Sequence, residues 1–80
     1  MLKFLKKKPK PKAPPELLDI NGNIINENDI VEAQRYDLGK CRVELEGLQY
    51  FYVSIETGQK VSYVKMIDAI TEQQKVEKLE

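Results

Sequence analysis

Residues 40 to 46 alternate without exception: Cys41, Val43 and Leu45 are apolar, while Lys40, Arg42, Glu44 and Glu46 are charged. Successive side chains of a strand point to opposite faces, so this run buries one face only as a strand with one wet side. After Glu46-Gly47 comes Tyr50-Phe51-Tyr52-Val53-Ser54-Ile55, the densest β-branched and aromatic stretch of the chain. Glu56-Thr57-Gly58-Gln59 then separates it from Val61 and Tyr63. Two hairpins in succession predict an antiparallel meander. Alternation places Tyr50 and Tyr52 on one face and Phe51, Val53 and Ile55 on the other, and the second set reads as the core.

Upstream, Asn21-Gly22 tolerates positive φ and has apolar residues on both sides, which predicts a tight turn from Leu17-Leu18-Asp19-Ile20 into Ile24-Ile25. The polar cluster Asn26-Glu27-Asn28-Asp29 punctuates the chain before Ile30-Val31-Glu32-Ala33, a short strand closed by a loop at Tyr36-Asp37-Leu38-Gly39. The last third has two open readings. Tyr63, Met66, Ile67 and Ile70 fall at helical spacing before the helix formers of Thr71 to Lys75. Val76 and Leu79 do not continue that stripe, and a strand over Lys65 to Asp68 with an edge strand over Lys75 to Leu79 fits the meander better.

The first sixteen residues differ in kind. Met1 to Lys8 holds four apolar residues, short of the apolar core of a signal peptide and of a spanning helix, so it is expected neither to export the chain nor to cross a membrane. Pro9, Pro11, Pro14 and Pro15 follow among lysines, and residues 1 to 16 read as a flexible arm with polyproline II character. Residues 17 to 80 remain for one small β domain, a size that buries only about 60% of the surface its unfolded chain exposes. With one cysteine and no histidine, no internal disulfide staples this domain and no imidazole serves it, so packing must hold the core. Such usage leads to the expectation of a cytoplasmic protein.

Net charge is zero but unevenly spread. Six of the thirteen cationic residues lie in residues 1 to 12, leaving seven against thirteen acids and a body at −6. A folded surface that grips phosphates is normally basic, which argues against nucleic-acid binding by the body itself.

Asp29-Ile30-Val31-Glu32-Ala33, the alternating hairpins and Gly58-Gln59-Lys60-Val61-Ser62-Tyr63-Val64-Lys65-Met66-Ile67 together resemble the strand order and closing segment of an SH3-like small barrel, a shape shared with KOW and Tudor types. Ser62-Tyr63-Val64 resembles the one-turn 3₁₀ link before its last strand. Asp19 to Ile25 followed by Asp29-Ile30-Val31 is also similar to the Asp-x-x-Gly-x-x-Ile and Gly-Asp-Ile-Val opening of small phage- and plasmid-borne β proteins such as the YopX family, with Asn28 where that pattern has glycine. The resemblance implies a mainly β, SH3-like barrel of five to six short strands. Peptide-binding SH3 domains carry a groove tryptophan and an Ala-Leu-Tyr-Asp-Tyr run; this chain has no tryptophan and only Tyr36-Asp37 of the run, while Tyr63 matches a groove position.

Catalytic and metal chemistry find little footing. Asp19, Asn21 and Asn23 match the first ligand positions of an EF-hand loop, but Ile24 and Ile30 occupy the places of its glycine and bidentate glutamate. Cys41 lacks a histidine partner and alternates with Val43 and Leu45, as a buried thiol does. Glu44 and Glu46 share a solvated face, and Gly39, Gly47 and Gly58 punctuate loops. No cofactor is expected.

The sequence therefore predicts a noncatalytic interaction module with a protein partner, binding through Tyr36, Asp37, Tyr50, Tyr52 and Tyr63. The alternative is a nucleic-acid accessory protein in which Lys6, Lys7, Lys8, Lys10 and Lys12 contact phosphates and tyrosines stack on bases. Those lysines, with Leu2, Phe4 and Leu5, also suit weak membrane contact. Docking of the arm's Pro11-Lys12-Ala13-Pro14 on the barrel is a further idea. Oligomeric state is not specified.

Overall fold

The computed structural model describes residues 14–79, so the arm lysines Lys6, Lys7, Lys8, Lys10 and Lys12 lie outside the described residues. The chain is mainly β. Strands β1 (Leu17–Leu18) and β2 (Ile24–Ile25) form a two-stranded ribbon. Strands β3 (Ile30–Ala33), β4 (Lys40–Glu46), β5 (Gln49–Ser54), β6 (Lys60–Ser62) and β7 (Val76–Lys78) form an antiparallel sheet in the order β6-β5-β4-β3-β7. The meander predicted from the alternation is β3 to β6, and β7 returns beside β3. Among the described residues the sheet is not closed, and β6 and β7 are its two edges.

The turn between β4 and β5 decides which side of β5 is buried. Glu46 pairs with Gln49, leaving only Gly47 and Leu48 between them. Gly47 has φ 63, the positive value that a two-residue hairpin turn of this kind asks of its first central residue and that glycine adopts without a Cβ clash. Such a turn sets the odd-numbered residues of β4 opposite the even-numbered residues of β5, so Cys41, Val43 and Leu45 share a face with Ser54, Tyr52 and Tyr50. The expected core set of Phe51, Val53 and Ile55 is thereby corrected: Tyr50, Tyr52 and Ser54 are buried, Phe51 and Val53 are half-buried, and Ile55 is exposed. Composition favoured the other face, but register follows the turn.

The inner face carries Val31, Cys41, Val43, Tyr50, Tyr52, Val61 and Val76, and it is roofed by Leu17 and Ile25 of the ribbon, Leu38 of the β3–β4 loop and Met66. The roof also holds polar groups with partners. The Tyr52 hydroxyl donates to Gln74 Oε1 at 2.7 Å, with both side chains buried. Ser54 Oγ donates to the Leu38 carbonyl at 2.8 Å.

The segment after β6 is a 3₁₀ turn, Tyr63–Met66, whose first free N–H, that of Val64, is accepted by the Ser62 hydroxyl. The strand expected over Lys65 to Asp68 is reduced to a single bridge, Ile67 to Gln74. Helical continuation does not occur either. Asp68 takes the Ile70 N–H on its side chain at 2.8 Å, Glu72 is left-handed at φ 65, and Ile70, required on the buried stripe of such a helix, is 90% exposed. The edge strand expected near the C-terminus forms as β7.

One carboxylate joins the ribbon to that edge. Ile20 and Asn21 make a turn closed by the Gly22 N–H on the Asp19 carbonyl at 3.0 Å, and Gly22 at φ 84 supplies the left-handed residue that returns the chain to β2. Asp19, fully buried, accepts the N–H groups of Asn21 (2.9 Å) and Asn23 (2.8 Å) on Oδ1 and that of Lys78 (2.8 Å) on Oδ2. Beside it, the Gln74 N–H donates to the Leu18 carbonyl at 2.8 Å and the Ile20 N–H donates to the Val76 carbonyl at 3.0 Å. The outer edge of β7 is sealed in this way. Asn28 is left-handed at φ 75, a conformation asparagine tolerates better than most residues.

Burial pushes the Asp19 carboxyl up, but the backbone donors of Lys78, Asn23 and Asn21 outweigh it and hold the carboxyl below its ordinary value. A carboxyl lowered in the folded state contributes stability that is fully present above the unfolded value, about pH 4, and is lost as pH falls through the folded value. Asp19→Ala is expected to lower the unfolding free energy by about 2–4 kcal/mol, since it leaves several backbone donors without their charged acceptor. Urea melts check this, and the loss of stability that the wild type shows below about pH 4 should be blunted in the variant.

Candidate binding groove

The β3–β4 loop, residues 34 to 39, is held at several points. The Ala33 N–H donates to the Gly39 carbonyl at 2.8 Å, the Gln34 N–H donates to the Lys75 carbonyl at 2.8 Å, and Leu38 is buried in the core. Between these anchors Tyr36 (φ 62) and Asp37 (φ 53) are both left-handed, a conformation that costs a non-glycine residue about 1–2 kcal/mol. Two such residues in succession persist because the surroundings hold them. The loop is also tied to the 3₁₀ turn. Arg35 Nη1 donates to the Lys65 carbonyl at 2.8 Å, and the Tyr36 hydroxyl reaches the same oxygen at 3.4 Å.

Held this way, the Tyr36 side chain remains 52% exposed and forms one wall of a groove whose other walls are Gln59, Lys60, Val61, Ser62 and Lys65. The groove measures about 220 Å³. Drug-sized ligands occupy pockets of about 300–1,000 Å³, so this space suits side chains of a peptide better than a whole small molecule. Two lysines and no carboxylate line it, although the body is acidic. Lys60 pairs with Glu46 and lies 4.8 Å from the centroid of the Phe51 ring. A wider depression of about 670 Å³ lies beside the ribbon turn, lined by Gly22, Asn23, Ile24, Asn26 and Lys78. Its one cation is already engaged, by Asp29 at 3.2 Å and by the Ile24 carbonyl at 2.9 Å.

Of the five residues expected to bind, the groove gathers only Tyr36. Asp37 is exposed on the same loop but does not line the groove, and Tyr63 is half-buried against the core. Tyr50 and Tyr52 belong to the inner face, and the expectation that they form a binding surface is corrected by the two-residue turn that turns them inward. Arg35, Gln59, Lys60, Val61, Ser62 and Lys65 were not singled out as a binding surface by the sequence. The available signal was topological: Lys60 to Ser62 is the last strand of the meander and therefore an edge.

The remaining nucleophile-bearing side chains serve the fold. Cys41 is fully buried and burial pushes its thiol up to about 11. Thr57 accepts the Gln59 N–H and Thr71 accepts the Gln73 N–H, each at a turn. Among the described residues no three His, Cys, Asp or Glu side chains are grouped to hold a metal, and no helix is long and apolar enough to cross a membrane. No family model, curated protein or solved structure matches the chain.

Tyr52 and Tyr36 should separate under mutation. Tyr52→Phe removes the donor to a buried glutamine and is expected to cost about 1–3 kcal/mol in urea unfolding, whereas Tyr36→Phe should change stability by no more than about 0.5 kcal/mol.

Proposed function

We propose that this protein is a noncatalytic interaction module that binds a protein segment in the groove beside Tyr36. The observation that carries the reading is the pair of left-handed residues, Tyr36 and Asp37, which keep an aromatic ring half in water next to an unpaired sheet edge. Strain of this kind gathers at binding and switch sites, and a tyrosine with one wet end suits a recognition surface. The high thiol pKa of Cys41 and the use of the turn hydroxyls in hydrogen bonds support the noncatalytic part. A cytoplasmic setting, in which Cys41 stays reduced, belongs to the same reading.

The SH3-like resemblance is part of the proposal. What supports it is the meander of β3 to β6 followed by a 3₁₀ turn at Tyr63–Met66, in a sheet that stays open among the described residues; the last strand lies later in the chain than the resemblance implies. Tyr36 flanked by Lys60 and Lys65 also favours a second reading, in which a nucleic-acid base stacks on the ring.

Affinity recovery from a lysate of the source cells distinguishes the two. The full chain is expected to retain a discrete protein after nuclease treatment, and Tyr36→Ala should reduce that recovery at least tenfold. Recovery of nuclease-sensitive material alone would favour the stacking reading; equal recovery by Tyr36→Ala would remove the groove from either.

A further inference from the structure

The two edges of the sheet are finished differently. In an antiparallel pair, alternate residues point their N–H and C=O groups at the neighbouring strand while those between point away. At β7 the Val76 C=O and the Lys78 N–H, which point away, are taken by the Ile20 N–H and the Asp19 carboxylate, and just before the strand the Gln74 N–H bonds to the Leu18 carbonyl. At β6 the order is fixed by the Ser54 N–H, which donates to the Gln59 carbonyl at 2.8 Å, and by the pairing of Tyr52 with Val61 two residues on. Val61 therefore faces β5. The N–H and C=O of Lys60 and the N–H of Ser62 face away from the sheet, and among the described residues β6 has no strand on that side. Lys60 and Ser62 also line the groove beside Tyr36.

We propose that an extended, acidic segment of a partner protein adds to β6 as a sixth strand of the sheet, with a carboxylate meeting Lys65. This inference rests on the groove reading above. Added strands gain affinity from main-chain hydrogen bonds and specificity from alternate side chains, and β6 offers both within one short stretch. Charge selects the occupant. Lys65 has no carboxylate within ion-pair distance among the described residues, and Arg35 adds a second cation at the same place. A second copy joined edge to edge would bring two sets of these cations together. The chain's own first residues would bring six lysines, and prolines that lack the N–H a strand must donate. An acidic β-forming segment from another protein meets neither obstacle.

Ser62 provides a sharp test because its φ of −68 is already the value proline requires. Ser62→Pro deletes the outward N–H and places ring atoms where the added strand would lie, while the bonds to β5 made by Val61 stay. Ser62→Ala removes the hydroxyl alone. The full chain, labelled with ¹⁵N, would be titrated with short peptides of alternating glutamate and threonine, of alternating lysine and threonine, and of lysine and proline. The glutamate peptide is expected to move the Lys60 and Ser62 amide signals and to bind at least tenfold more tightly than the lysine peptide. That binding should weaken with salt, persist in Ser62→Ala and vanish in Ser62→Pro and Lys65→Glu variants whose other signals show an intact fold. Unchanged binding in Ser62→Pro, or no response of β6 to the glutamate peptide, would overturn the proposal. If another peptide moves Tyr36 and Lys65 while β6 is silent, strand addition fails and the groove reading stands. If no peptide moves Tyr36 and Tyr36→Ala retains its lysate partner, the groove reading fails as well.

Discussion

The Asp19 carboxylate is the joint on which the two sheets depend. Burying a charged group costs several kcal/mol unless it is hydrogen-bonded, and here backbone donors from both ends of the described chain surround it. A two-stranded ribbon is barely stable by itself. Tied through Asp19 to β7, the ribbon lays Leu17 and Ile25 over the inner face of the five-stranded sheet and finishes the core that a single open sheet could not enclose. The same tie caps the β7 edge, so the N-terminal hairpin is both a lid and an edge cover.

Capping one edge leaves the other to account for. Edges with unpaired backbone groups invite pairing with other chains, and proteins blunt them with short strands, charges or covering segments. The β6 edge is three residues long and carries Lys60, and it is the edge beside which Tyr36 and Asp37 are held in a costly conformation. A chain with so small a core has little stability to spend on strain, being held by roughly 0.05–0.15 kcal/mol per residue. Placing strain, an exposed ring and cations along the one edge left uncapped among the described residues is the arrangement expected if that edge has a partner.

Much of the architecture was legible because alternation is a local signal. The run from Lys40 to Glu46 declared its strand and its buried face, and the short strand at Ile30 formed where its chemistry placed it. The first hairpin also forms, but its turn centres on Ile20 and Asn21, one residue earlier than Asn21-Gly22, with Gly22 alone left-handed. The face of β5 is set by the turn and not by hydrophobicity. Counting residues through Gly47-Leu48 fixes the parity, whereas comparing hydrophobicity chose Phe51 and Val53 over Tyr50 and Tyr52, whose hydroxyl-bearing rings are buried. The role of Asp19 is not legible in the sequence, since its bond to Lys78 spans nearly the whole domain and leaves no mark on local pattern. The groove was the least visible, because it exists only where a loop, an edge strand and a 3₁₀ turn meet, and the residues lining it are individually ordinary.

Amide hydrogen exchange on the ¹⁵N-labelled chain tests the asymmetry of the edges most directly. The N–H groups of Gln74 and Lys78, bonded to Leu18 and Asp19, should exchange slowly alongside that of Val61, while those of Lys60 and Ser62 on the opposite edge should exchange close to the rate of an unstructured peptide. Protection of Lys60 and Ser62 equal to that of Val61, or fast exchange at Lys78, would contradict the picture of one edge sealed by Asp19 and one left open.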